Sequence, residues 1–327
     1  MPIITLPTGS DEEMVFQTFR GYLSATCNWA RDLYPHAGGL LPGLEGAVKA
    51  RRWMTRTPAN SMNLTNRGAE ILRNGWATEV LLNSPRVLGG GDLIAFANLW
   101  APVQAYYAVF EVFTALHMTI GGSKPPKTHA GLLAWAGGNI AHANTPFVVP
   151  WTARVGGAPG AWTFDGFGTT TPNPGISNLS APHAANAPHL LAKGLMTTRR
   201  EQIDDHHDKW LEKLTTRAGM PRKNLPAAIL TARATAMRPT TLFDLLWRLR
   251  VRSNYKEGDA LLSGALGPAD AATFHDALSE IVAATLLTTE IYLAHVVGKA
   301  VLQRCADMLQ VPPALARHSM SARIPLW

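Results

Sequence analysis

Cysteine is nearly absent: Cys27 and Cys305 are the only two in 327 residues, too few for a disulfide framework or a zinc knuckle. Charge is sparse as well. Asp, Glu, Lys and Arg make up 16% of the chain against 46% hydrophobic residues. That balance excludes global disorder and predicts an interior-rich protein that buries further surface against a partner. Acidic residues are the scarcer sign, 23 against 30 basic ones, which leaves a net charge of +7 and favours an acidic partner such as nucleic acid without demanding one. Several catalytic signatures are missing. No Gly-x-Ser-x-Gly elbow occurs, and neither cysteine lies beside features that activate a thiolate. Gly89-Gly90-Gly91 is not a phosphate loop, because no Lys-Ser/Thr follows it and no strand pattern precedes it. Alternating strand and helix patterns are lacking, which argues against a doubly wound sheet. No internal repeat is visible, and no basic, apolar and cleavable leader opens the chain, so a cytoplasmic protein is expected.

What the chain does have is helical periodicity. Asp11-Glu12-Glu13 opens an amphipathic stretch in which Val15, Phe19, Tyr22, Trp29 and Leu33 keep a helical spacing up to Pro35. A basic run of Lys49, Arg51, Arg52 and Arg56 follows, then a helix predicted over 64–82 and a glycine turn capped by Asp92. The stretches 99–120 and 281–302 are apolar enough to invite a membrane reading. The first contains Pro102, Gln104 and Glu111, however, and the second Glu290 and His295, so both are expected to be buried core helices. Residues 144–186 collect Pro, Gly, Thr, Asn and aromatics, including Trp151, Trp162, Phe164 and Phe167. They predict an ordered, loop-rich insertion with short strands. Helical signal returns over 187–218, 223–236 and 240–250, and lastly across 270–306 before Pro312-Pro313.

Two segments carry the functional argument. In 104–138 apolar residues at helical spacing (Tyr106, Tyr107, Phe110, Phe113, Leu116) stop at Gly121-Gly122, and a second helix starts after Pro125-Pro126. In 248–262, Arg248, Arg250 and Arg252 lead into Ser253-Asn254-Tyr255, a cluster of positive charge before a polar break that suits a phosphate. The plainer reading is that these arginines decorate a helix end and complement its dipole. Tyr106 and Tyr107 read first as core aromatics. Lys127 and His129, at a helix start, suit anion binding as well as ordinary capping.

These residues resemble the HEPN domain family (higher eukaryotes and prokaryotes nucleotide-binding), in its prokaryotic toxin and defence branch. Ala105-Tyr106-Tyr107-Ala108-Val109-Phe110 is similar to the first long helix of that branch, and Lys127-Thr128-His129-Ala130-Gly131 to the turn opening its next helix. Arg250-x-x-x-Asn254-Tyr255 looks like its Arg-x-x-x-Asp-Tyr stretch, and a last long helix from about 270 completes the likeness. Nuclease members carry an Arg that binds phosphate and, a few residues on, a His that aids metal-independent RNA cleavage. Here Tyr255 stands where that His would be, and Glu111 replaces the His that often follows Phe in the first helix. The phenol of a tyrosine ionises near pH 10 and is a poor base at neutral pH.

The resemblance implies an all-α fold: an HEPN-like helical bundle over 92–306 interrupted by the irregular insertion 144–186, an N-terminal helical extension over 1–91 and a C-terminal tail over 307–327. It implies a homodimer whose protomers face a shared cleft, and an RNA-directed effector, a metal-independent endoribonuclease, of a toxin–antitoxin or antiviral defence system. Its partners would be RNA and a cognate antitoxin or defence-complex protein, with no membrane and no cofactor. Arg250, Tyr255 and Asn254 form the expected catalytic set; Arg248, Arg252, Lys256, Lys127 and His129 form the expected nucleic-acid-binding set. The alternative is a non-catalytic subunit of a larger complex that binds RNA, a nucleotide or a protein. Three other constellations are backups: Asp204-Asp205-His206-His207-Asp208 as a metal cluster, and the Arg200/His206 and Arg31/His36 pairs, which also satisfy the nuclease spacing. The Asp/His run continues into Lys209, Glu212 and Lys213, the pattern of a solvated helix face.

Overall fold

The structure is a computed structural model that describes residues 10–89, 91–122, 124–141, 145–175, 186–215, 219–220, 224–255 and 258–327. It is mostly helical, with 70% helix and 4% strand, so the all-α expectation holds.

The first helix, α1 (Asp11–Leu33), begins where the Ser10 hydroxyl accepts from the Glu13 backbone N–H at 3.2 Å and three acidic residues fill the first turn. Short helices α2 (Leu40–Lys49) and α3 (Trp53–Arg56) follow. The fourth, α4 (Asn66–Leu88), is capped by the Thr65 hydroxyl, which accepts from Gly68 N–H at 3.0 Å. It outlasts the expected end at residue 82 and runs to Gly89, whose φ of +96° stops it. Next come α5 (Gly91–Ala97), α6 (Ala101–Ile120) and α7 (His129–Asn139). The glycines at 121 and 122 and the prolines at 125 and 126 separate the last two, as their spacing predicts.

The insertion contains a hairpin of β1 (Arg154–Ala158) and β2 (Ala161–Asp165). Beyond it lie α8 (Ala187–Leu211), α9 (Ala227–Ala236) and the two-residue β3 (Thr240–Thr241). Strand β3 pairs with β1, Arg154 opposite Thr241, and leads directly into α10 (Leu242–Tyr255). The buried Arg199 of α8 fastens this junction. Its guanidinium donates to the backbone oxygens of Gly157 at 2.8 Å, Ala234 at 2.8 Å and Arg238 at 2.7 Å. One side chain thus ties the hairpin, the end of α9 and the approach to α10 together.

After α11 (Gly258–Ser263) comes the central helix α12 (Pro268–Val297), buried along most of its length. It is the one helix among the described residues long and apolar enough to cross a membrane, and 78% of that apolar window is buried inside the protein. The expected single helix over 270–306 is split in two. Gly298, at φ +92°, ends α12, and α13 (Lys299–Asp307) starts beyond it; α14 (Met320–Arg323) lies near the C-terminus.

A large hydrophobic core joins most of these elements, with Phe16 and Leu23 of α1, Trp76 of α4, Val112 and Leu116 of α6, Leu245 and Leu249 of α10 and Leu286 of α12 all buried in it, and a small second cluster of Ala158, Ile203 and Ala234 lies where β1, α8 and α9 meet. The N-terminal helices therefore share their core with the rest of the chain. Helices α4 and α6 lie close along one another at Gly75, where a Cβ would come within 2.7 Å of Val112 Cγ2 and 3.1 Å of the Ala108 oxygen. Gly75→Val is expected to cost about 1–3 kcal/mol through overpacking, measured as a lower urea midpoint with an unchanged slope.

Candidate functional site

Helix α10 is the backbone of the site, and its start is fixed by the Asp244 side chain, which reaches back to Thr241. The buried Asp244 carboxylate accepts from Thr241 N–H at 2.8 Å and from the Thr241 hydroxyl at 2.9 Å. Both terminal nitrogens of Arg238, Nη1 at 2.9 Å and Nη2 at 2.5 Å, and Gln202 Nε2 at 3.0 Å also donate to it, so a carboxylate with no exposure is compensated. Leu242, Leu245, Leu246 and Leu249 recur at helical spacing and bury one stripe of α10. The register of every polar residue on the helix follows from that stripe. Ser253-Asn254-Tyr255, expected as a turn-prone break, instead forms the last turn of α10. The Ser253 hydroxyl bonds the Leu99 carbonyl and holds that turn against the α5–α6 junction.

At about 3.6 residues per turn, positions 248 and 252 share a face and position 250 lies nearly opposite. The structure separates the three arginines accordingly. Arg248 and Arg252 both reach Glu201 of α8, with Arg248 Nη2 at 2.7 Å from Oε1 and Arg252 also in contact with Oε1. Their guanidinium groups lie 5.2 and 6.0 Å from the Phe19 ring. They border a cleft of about 390 Å³ between α7, α8 and α10 whose other polar residues include Asp205, His206 and Lys209. Because one carboxylate serves two arginines there, that cleft is not the concentrated positive surface that three adjacent arginines suggest.

Arg250 faces the other way, into a cage of rings. Its Cζ lies 4.8 Å from the Trp247 ring, 5.5 Å from Tyr107 and 5.8 Å from Tyr255. Nη2 donates to Tyr107 Oη at 3.2 Å, while Nε is buried without a hydrogen-bond partner. No carboxylate among the described residues pairs with it. A guanidinium held against ring faces and left without a counter-charge is a ready partner for an anion.

His129, the first residue of α7, enters the same cage. Thr128 caps that helix by accepting from Gly131 N–H at 3.1 Å, and this aims the histidine back at α6 and α10. Its ring stacks on Trp247 at 4.9 Å, lies 4.5 Å from Phe110, and shares a hydrogen bond of 3.0 Å between Nδ1 and Tyr106 Oη. Burial and the nearby Arg250 hold the imidazole below its ordinary pKa, so it is neutral at pH 7. Burial pushes the Tyr106 phenol up, so that group stays protonated. The cage thus places a cation, a neutral imidazole and a phenol around one indole.

The remaining expected site residues lie at varying distances from this cage. Tyr255 forms its outer wall and is 72% exposed. Asn254 is half-buried on the neighbouring cleft, which also takes in Leu99, Trp100 and Asp259. Lys127 is exposed on the turn before α7. Lys256 lies outside the described residues. Of the backup pairs, Arg31 is bound to Glu280 and His36 Nδ1 accepts from Gly38 N–H, so that arginine is already neutralised. His206 stacks on Trp210 at 5.8 Å on the exposed side of α8. Among the described residues no group of three or more His, Cys, Asp or Glu side chains is placed to hold a metal ion.

Sequence reasoning missed Trp247, the centre of the cage, and Glu201, the residue that neutralises two of the three arginines. Trp247 was within reach, since it precedes Arg250 by one helical turn. Glu201 was not, because its pairing depends on how α8 packs on α10. No protein-family model matches the chain, no curated protein matches it, and no solved structure matches it.

Proposed function

We propose that the protein is an HEPN-like, RNA-directed effector that cleaves RNA without a metal ion, with Arg250 holding the scissile phosphate and His129 moving the proton. The observation that carries this reading is Arg250 itself, a caged guanidinium with no carboxylate partner among the described residues, set beside a neutral imidazole. The chemistry needs little more. A neutral imidazole takes the proton of a ribose 2′-hydroxyl, the 2′-oxygen attacks the adjacent phosphorus as the bond to the 5′-oxygen breaks, the 5′-oxygen takes a proton from water, and the imidazolium returns its proton to the solvent. The products are a 2′,3′-cyclic phosphate and a 5′-hydroxyl end. Arg250 offsets the charge that builds on the phosphoryl oxygens. Tyr106 orients the imidazole through Nδ1, and Tyr255 and Asn254 border the phosphate rather than act on it.

This assigns the proton to His129 of α7 instead of Tyr255, and the two give opposite pH profiles. With His129 as base, activity is full at pH 7 and above and is lost as pH falls through its pKa. That limb lies below 6.5, since burial and Arg250 lower the value. A Tyr255 base would give a rate still climbing toward pH 10. Cleavage rates between pH 4.5 and 9.5 separate the two, and His129→Ala is expected to remove the acidic limb along with the activity.

By the resemblance, two copies pair across a shared cleft and serve a toxin–antitoxin or antiviral defence system, kept silent by a cognate protein. The test is incubation of the purified protein with total RNA and transfer RNA, with and without chelator. Chelator-resistant cleavage leaving cyclic phosphate ends is expected from wild type and not from Arg250→Ala. Intact RNA under every condition, with RNA still bound, would favour the second reading, a non-catalytic RNA-binding subunit. The specific feature behind that second reading is Tyr255 in the position of the family's histidine.

A further inference from the structure

A second cleft adjoins the Arg250 cage and shares one wall with it. It encloses about 360 Å³ between the α5–α6 junction, the last turn of α10 and α11, and takes in Leu99, Trp100, Asn254, Tyr255, Asp259 and Leu262. Two large aromatic side chains stand open at this cleft: Trp100 is 57% exposed and Tyr255 72% exposed. Neither contributes to the core. The floor, by contrast, is fixed. Ser253 is tied to the Leu99 carbonyl, and Gly258 packs so closely that a Cβ there would lie 3.0 Å from the Ser253 oxygen and 3.1 Å from Leu99 Cδ1. The side chains of Asn254 and Asp259 have no hydrogen-bond partner among the described residues and stand at the same cleft. The Tyr255 ring touches both places, lining this cleft while lying 5.8 Å from Arg250 Cζ.

We propose that this cleft seats one unpaired base of a single-stranded RNA, stacked on Trp100 and Tyr255, while the adjoining phosphate rests on Arg250. The proposal builds on the RNA-directed reading of the cage and names its substrate as single-stranded. Rings exposed beside an uncompensated cation are the combination with which proteins hold single strands: the face of the base stacks, and the backbone phosphate meets the arginine. Asn254 and Asp259 offer donors and acceptors to the edge of the base. A duplex keeps its bases stacked on one another and cannot present one to this cleft without unpairing.

The experiment uses a short 2′-O-methyl RNA, which the proposed chemistry cannot cleave, its counterpart with every base removed, and a duplex of the same sequence. Binding of the full chain and of its Trp100→Ala, Trp100→Phe and Arg250→Ala variants is measured by fluorescence anisotropy. Wild type is expected to bind the single strand about 5- to 100-fold more tightly than the abasic strand. Trp100→Ala should lose most of that difference, and Trp100→Phe, which keeps a ring, should recover it. If wild type binds RNA and Arg250→Ala weakens it while Trp100→Ala matches wild type, the base cleft is overturned and the phosphate role of Arg250 stands. If wild type binds none of the strands, both readings fail. If Trp100→Ala leaves RNA affinity intact but shifts the protein from dimer to monomer in sedimentation, the cleft is a protein contact and the proposal is overturned.

Discussion

Arg323→Ala is expected to destabilise the protein by about 3–5 kcal/mol. The Arg323 guanidinium is 1% exposed and lies between two carboxylates with no exposure, Glu79 of α4 and Glu290 of α12. Nη2 bonds Glu79 Oε2 at 2.8 Å and Glu290 Oε1 at 2.7 Å, Nε bonds Glu290 Oε2 at 2.8 Å, and Nη1 contacts Glu79 Oε1. The indole N–H groups of Trp76 and Trp327 also donate to Glu290, at 2.7 and 3.0 Å. Removing the cation leaves two buried carboxylates near one another with nothing positive between them. Burial raises the Glu79 carboxyl, and without the cation the folded state holds a proton there more tightly still than the unfolded chain does. A carboxyl whose folded pKa is raised gives stability below its unfolded value, near 4.5, and loses it as pH rises. The deficit of the variant should therefore be largest at pH 7 and should shrink toward pH 4.5. Urea midpoints of both proteins at those two pH values check this. An equal deficit at both would mean that lost packing, rather than uncompensated charge, sets the cost.

Arg250→Ala is expected to lower RNA cleavage by about 100- to 1,000-fold, the loss found when one preorganised donor to a developing oxyanion is removed. Stability should change little, because Arg250 makes a single hydrogen bond, to Tyr107, and has no ion pair among the described residues. Arg250→Lys keeps the charge but not the planar fork that lies against Trp247, and should recover only part of the rate. Tyr255→Phe retains the ring at the outer wall and should remain active. Initial rates on a defined transfer RNA, with chelator present, measure all three. If Tyr255→Phe proved as inactive as Arg250→Ala, the proton would have to pass through the phenol.

Local patterns in the chain foretold the local structure. Asp11-Glu12-Glu13 and the turn over 127–131 mark real helix starts, and Gly121-Gly122 with Pro125-Pro126 marks a real break. The apolar stretch around 281–302 is, as expected, core rather than surface. Boundaries that depend on tertiary support were harder to read. Ser253-Asn254-Tyr255 has turn composition, yet it stays helical because Ser253 finds the Leu99 carbonyl more than 150 positions away, a separation of 154. Gly298 looks like a tolerable interruption in a long helix, but it takes a left-handed φ and splits that helix.

The site shows the same division. Arg250 and His129 stand out in the sequence as a cation in a basic cluster and a histidine at a helix start. That they meet over Trp247, while Arg248 and Arg252 turn away to Glu201, is set by how α7, α8 and α10 pack. Three arginines at alternate positions look like one patch in a string of letters. A helix distributes them to two sides.

The salt dependence of RNA binding separates the two sides of α10. Affinity for a 2′-O-methyl single strand, measured from low to moderate salt for wild type, Arg250→Ala and Arg248→Ala, counts the phosphate contacts each residue makes. Weaker binding and a slope shallower by about one are expected for Arg250→Ala, and a slope unchanged for Arg248→Ala. A slope that fell for Arg248→Ala and held for Arg250→Ala would place the RNA on the Glu201 side of α10 and remove Arg250 from the phosphate site.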